Sequence, residues 1–183
     1  MINFPDNTPA PSFDSPLEML RACHGRILDQ CNTLHKLQQH LDVSGCDVQA
    51  QQAAQAILRY FDTAGQYHHQ DEELDLFPLL LATTSTEADE LITRLLGEHQ
   101  EMNAAWLLLR SRLQVIAEGQ IPEGQSATLE ESDVEHFSTA YERHITLENA
   151  QLLPLATRLL GKQQLHDLGR KMAARRGVSL SPP

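Results

Sequence analysis

Cysteine is scarce and unpaired in this sequence: Cys23, Cys31 and Cys46 are an odd number, and none stands in a Cys-x-x-Cys pair. That count argues against a disulfide framework and suits a reducing compartment. No apolar run approaches the roughly 20 residues of a membrane span, and the stretches 79–82 and 104–109 are only core-sized. Residues 1–16 hold no basic residue and no apolar core, so they do not read as a signal peptide and the expected location is cytoplasmic. β-branched aliphatics are few, with 7 isoleucines and 5 valines against 29 leucines and 18 alanines. That balance disfavours pleated sheet and predicts a mostly helical chain. Cations are also short, at 14 Lys and Arg against 25 Asp and Glu, for a formal net charge of -11. Such a surface repels phosphate backbones and anionic lipid, so neither nucleic acid nor membrane is an expected partner. Arg158, Lys162, Arg170, Lys171, Arg175 and Arg176 crowd the end of the chain, a pattern that reads as a basic bias at a helix C-terminus rather than a docking patch.

At 183 residues and 41% hydrophobic, the chain suits one domain with one core. Pro5, Pro9 and Pro11 make residues 1–14 an extended lead-in. Ser15-Pro16-Leu17-Glu18 has the form of a capping box, and Leu17, Leu20, His24, Ile27, Cys31, Leu34 and Leu41 follow at helical spacing. Asp47 is the expected N-cap of a second helix with the stripe Ala54, Ile57, Phe61, Ala64, His68, Glu72, which Pro78 should end or kink. A third helix should start near Thr84–Thr86 and present Leu91, Leu95, His99, Met102, Trp106, Leu109, Leu113 and Ile116 on one face, closing at Gly119–Gly124. A fourth shows Val134, Phe137, Tyr141, His144 and Glu148, meets Pro154 and stops at Gly161. The expected fold is an all-α, antiparallel up-down four-helix bundle over residues 15–161, with a short C-terminal helix and tail over 162–183.

Each seam carries one histidine where leucine or isoleucine would serve: His24, His68, His99 and His144. His68-His69-Gln70-Asp71-Glu72 and His144-Ile145-Thr146-Leu147-Glu148 both read His-x-x-x-Glu, which sets imidazole and carboxylate on one helical face. The spacing repeats, at 44 residues from His24 to His68 and 45 from His99 to His144, with a proline ten residues after each motif histidine. Two hairpins, each with a lone histidine and a His-x-x-x-Glu pair, predict a symmetric two-metal site in the bundle core. One buried histidine is ordinarily a hydrogen-bonded core residue. Four of them with two glutamates are costly to bury unless cations compensate. Nitrogen and carboxylate donors without thiolate suit iron, and manganese less well. Cys23 lies about 100° off the seam and reads as a packed small residue.

These stretches, with Leu20-Arg21-Ala22-Cys23-His24, Glu98-His99 and the runs on to Pro78 and Pro154, resemble the hemerythrin-like family of His/Glu cation-binding domains over roughly residues 16–160. The resemblance implies a non-haem diiron centre with a bridging oxo or hydroxo group, ligated by His24, His68, Glu72, His99, His144 and Glu148. Hemerythrin proper takes a second third-helix histidine one turn on, where this chain has Asn103. The likeness is closer to the four-histidine, two-glutamate branch, which includes the repair-of-iron-centres proteins; their additional N-terminal Cys-containing domain is not seen here. Four imidazoles, two bridging carboxylates and a bridging solvent fill about ten of twelve octahedral positions and leave roughly one open per iron. The expected function is binding or sensing of a small oxidant (dioxygen, nitric oxide or peroxide), with a separate redox or signalling protein as partner. The alternative is a diiron redox enzyme, or an iron-centre repair or iron-handling protein. Ferritin-type storage is disfavoured because no Glu-x-x-His occurs.

His69 and Glu73 repeat the i,i+4 spacing off the stripe, and are expected beside the ligands or at the surface; a slip of register would make Glu73 a ligand. Asp71 and Tyr141, three residues from motif histidines, are placed to orient imidazoles or line the open positions, if they are not simply a surface carboxylate and a core aromatic. His35, His40, His136 and His166 have no glutamate at ligand spacing and are expected to be solvated.

Overall fold

A computed structural model describes residues 12–121 and 127–178. Most of the expected extended lead-in, residues 1–11, lies outside the described residues. Helix α1 is Pro16–Ser44. Helix α2 runs over 48–81 as Val48–Tyr60, a π turn Phe61–Gly65, Gln66–Asp71, a second π turn Glu72–Leu76, and Phe77–Leu81. Helix α3 is Thr86–Glu118. Helix α4 joins Glu131–Leu147, a π turn Glu148–Leu152 and Leu153–Leu159, and α5 is Lys162–Arg175. No strand occurs among the described residues. Consecutive helices pack together and α1 closes the ring against α4, giving the antiparallel bundle, while α5 lies outside across α1 and α2.

The helix ends follow local chemistry. Asp47 caps α2 through Oδ1, which accepts the Ala50 amide at 2.8 Å, and Ser85 caps α3 from the Ala88 amide at 3.4 Å. Gly119 closes α3 with φ 64, a left-handed conformation that glycine adopts without a Cβ clash. The capping box expected at Ser15 is not formed: its side chain makes no cap bond, and Pro16 opens α1 by its fixed φ.

Pro78 does not end α2, which continues to Leu81; the expected distortion takes the form of a π turn just before it. The Phe77 amide reaches back to the Glu72 carbonyl, an i→i−5 bond, and this wider turn absorbs the missing donor and the ring clash that proline brings. The same device precedes Pro154, where the Leu153 amide bonds to the Glu148 carbonyl. The internal repeat thus extends to the backbone, and each motif glutamate is the first residue of a π turn.

The core is two apolar clusters with a polar layer between them. One cluster holds Ile27, Leu34, Ile57, Phe61, Trp106, Phe137 and their neighbours; the other holds Leu20, Leu76, Phe77, Leu95, Leu152 and Met172. The layer between carries His24, His68, Glu72, His99, His144 and Glu148, all buried.

The basic chain end is more than a helix-terminal bias. Arg175 bonds to both Asp71 and Asp75, Arg176 bonds to Asp71 at 2.7 Å, and Lys171 lies 3.1 Å from Asp75. Gly169 lets α5 close on the entering chain, since a Cβ there would stand 1.9 Å from the Phe13 carbonyl oxygen. Among the thiols, Cys23 and Cys31 are buried and Cys46 is half-buried. Burial pushes the Cys31 thiol up to about 12. A thiol reagent applied to the folded chain should modify Cys46 rapidly and the other two only after unfolding, as counted by mass spectrometry; prompt labelling of Cys31 would contradict this packing.

Candidate metal centre

The six predicted side chains converge on one small volume. Glu72 lies with Oε1 3.4 Å from His68 Nε2 and Oε2 3.4 Å from His99 Nε2. Glu148 lies with Oε1 3.2 Å from His144 Nε2 and Oε2 3.1 Å from His24 Nε2. Each carboxylate therefore spans from one hairpin to the other. The groups sort into two overlapping sets: His24, His68, Glu72 and Glu148, and Glu72, His99, His144 and Glu148, each with donor atoms within 4.8 Å of one another. Each set takes both histidines of one hairpin, and the two glutamates belong to both.

A cation fits this arrangement better than hydrogen bonding does. All four carboxylate oxygens of Glu72 and Glu148, with His24 Nε2 and His68 Nε2, are buried without a hydrogen-bond partner among the described residues, although imidazole nitrogens and carboxylate oxygens stand only 3.1 to 3.4 Å apart. The atoms are close but not aimed at one another. Orphaned buried carboxylates are expensive. Nitrogen and oxygen ligands at 2.0–2.2 Å from one ion sit about 3 Å apart when adjacent, which matches these separations.

Electrostatics of the metal-free cluster point the same way. Burial pushes the Glu72 carboxyl well above its usual range, and the Glu148 charge pushes it further. Burial also opposes ionisation of Glu148, but His144 and His24 hold it well below the carboxylate range. For His24 and His144 burial opposes protonation, yet Glu148 outweighs it and raises both. Burial, reinforced by the His24 charge, drives His68 well down. The two carboxylates are thus pushed in opposite directions: the fold favours ionised Glu148 beside His24 and His144, and opposes ionisation of Glu72.

The outer nitrogens of three imidazoles are held in place. Glu73 Oε1 is 2.6 Å from His99 Nδ1, Glu98 Oε2 is 2.9 Å from His144 Nδ1, and Asn149 Oδ1 is 2.9 Å from His24 Nδ1. Glu73 thus sits outside the inner six, beside a ligand-spaced histidine. Glu98 and Asn149 received no role from sequence reasoning, though a signal existed: Asn149 follows Glu148 as Glu73 follows Glu72, and each reaches the lone histidine of the other hairpin. His69 stacks on His99, with centroids 4.1 Å apart and planes 14° apart. The set His69, Glu73 and His99 is also compact, but the in-plane lone pairs of parallel rings do not converge on one ion.

Asp71 does not orient an imidazole; it is buried against α5 and bonded by Arg175 and Arg176. Tyr141 packs on Phe61 and Phe137, at 5.6 and 5.0 Å between centroids, and forms the aromatic wall beside the polar layer. Asn103 is exposed and, with Gln66, His69, Gln70, Glu73 and Gln100, lines a cleft of about 350 Å³ that has His99 among its walls. His136 is exposed, while His35, His40 and His166 are half-exposed and outside the cluster.

The family model described as the hemerythrin HHE cation-binding domain matches residues 15–156. A Haemophilus influenzae protein described as an uncharacterized protein is 33% identical over 171 residues, which cover 91% of this chain and 93% of that protein. No helix among the described residues is long and apolar enough to cross a membrane.

Proposed function

The chain belongs to the hemerythrin HHE cation-binding domain family, and from that premise and the donor geometry we propose that His24, His68, Glu72, His99, His144 and Glu148 ligate two iron ions in a cytoplasmic protein that binds or senses a small oxidant. The observation that carries this reading is the pair of fully buried glutamates, each spanning two hairpins with both oxygens unpartnered. Imidazole and carboxylate without thiolate favour iron over structural zinc, with manganese the lesser fit. Two irons held there would supply one-electron redox change and open coordination positions.

The protein's own part is to hold and enclose. Glu73, Glu98 and Asn149 fix the rings so that the inner nitrogens face the centre. Phe61, Phe77, Tyr141 and the leucines above and below exclude bulk water. The polar cleft that has His99 among its walls is the approach from the surface nearest the proposed ligands, and it is wide enough for dioxygen, nitric oxide or peroxide.

Elemental analysis of protein purified untagged and without added metal should find about two irons per chain. Glu72→Ala/Glu148→Ala should lose both while keeping its helical circular dichroism. Native protein free of metal, or a double variant that retains it, would sink the reading.

A further inference from the structure

The outer contacts of the four histidines are unequal between the two hairpins. On α3 and α4 both Nδ1 atoms meet carboxylates, Glu73 on His99 and Glu98 on His144. Among the described residues, on α1 and α2, His24 Nδ1 meets only the amide oxygen of Asn149, and His68 Nδ1 has no partner. The duplication makes the contrast plain. Glu98 precedes the lone His99 and serves the motif histidine His144; its counterpart, Cys23, precedes the lone His24, and the motif histidine His68 goes unserved. Glu73 and its counterpart Asn149 differ by a full charge.

Nearby cations do not cancel the difference. Arg94 bonds to Glu98 at 3.0 Å and Arg143 lies 3.9 Å from it, drawing off part of its charge. Glu73 meets no Lys or Arg within 4.0 Å among the described residues; its partner is His99. A carboxylate that accepts the Nδ1 proton makes Nε2 a stronger donor toward a cation and adds negative charge beside it, and loss of such a partner ordinarily weakens metal binding about 10- to 100-fold.

We propose that the two cation positions are inequivalent, the His99/His144 position binding a divalent ion first and tightly through its two outer carboxylates, and the His24/His68 position binding second and exchanging readily. This rests on the assignment of the six ligands above. It makes Glu73 and Glu98 positioning residues for one ion of the pair and predicts a protein that passes through a singly loaded state.

Titration of the metal-stripped full chain with Co²⁺, followed by calorimetry and visible absorption, tests it. The expected result is two binding steps at least about 10-fold apart. The first should survive in His24→Ala/His68→Ala and vanish in His99→Ala/His144→Ala. Glu73→Gln and Glu98→Gln should each weaken the first step by about 10- to 100-fold and leave the second in place. Asn149→Asp should strengthen the second step, a gain that a folding defect cannot imitate. One step of two equal equivalents, or a first equivalent that goes to the His24/His68 position, overturns the inequivalence while leaving the six-ligand reading intact. Absence of Co²⁺ binding, or binding indifferent to Glu72→Ala/Glu148→Ala, overturns both.

Discussion

Arg175→Ala/Arg176→Ala should destabilise the folded chain by about 3 to 5 kcal/mol, the cost of stranding a buried charge. Asp71 is fully buried and Asp75 nearly so, and their compensating guanidiniums come from the end of α5, 100 to 105 residues on. Burial pushes the Asp71 carboxyl up even with both guanidiniums beside it. Without them it must take up a proton or draw water into the α2/α5 contact. Asp75 belongs to the π turn that begins at Glu72, so the disturbance reaches the backbone that aims a proposed ligand. Urea unfolding measures the loss, which corresponds to roughly 6 to 20 °C in melting temperature for a chain of this length. Adding Asp71→Asn should recover most of it, because a neutral amide needs no cation. Lys171→Ala, whose side chain is largely exposed, should cost under about 1 kcal/mol. A double variant within about 1 kcal/mol of the native chain would mean that water already reaches Asp71.

That pairing shows where sequence reading stopped. Apolar spacing was enough to place α1, α3 and α4 and to pick out six polar residues at core positions, because burial is recorded in periodicity. Asp71 was seen to share a face with His68, but helical spacing says nothing of which neighbour covers that face, and the covering helix lies far along the chain. Pro78 reads as an end or a kink because proline's cost is local, whereas the π turn that absorbs it depends on where Glu72 must point. The Ser15 box failed for a similar reason: a pattern of residue types allows a cap without requiring it, and Pro16 already starts the helix. Glu98 and Asn149 were legible in principle. They stand one residue from a duplicated histidine or glutamate, Glu98 before His99 and Asn149 after Glu148, so aligning the two hairpins singles them out.

Glu72→Gln should separate stability from cation binding. In the metal-free chain burial and the Glu148 charge push the Glu72 carboxyl well above its ordinary value of 4.5, so the fold favours the protonated acid, and an amide of nearly the same shape replaces that form at little cost. The stripped variant should therefore unfold within about 1 kcal/mol of the stripped native chain near neutral pH. The sign of the residual difference is set by linkage. A carboxyl whose folded value is raised contributes stability that is complete below its unfolded value, near 4.5, and is lost as pH climbs toward the raised value. Stripped native protein should accordingly lose ground to Glu72→Gln as pH rises. Cation reverses the order, because the ion needs the ionised carboxylate. Each ion held at a thousandfold its dissociation constant adds about 4 kcal/mol, roughly 8 to 16 °C apiece. The native chain should gain this on loading with Fe²⁺ under anaerobic conditions, and the variant should gain little, because Glu72 belongs to both positions. Melting curves of both proteins, stripped and loaded, at several pH values decide the matter. Equal gains on loading would remove Glu72 from the ligand set. A native chain indifferent to chelation would leave the two buried glutamates without the compensation their burial requires.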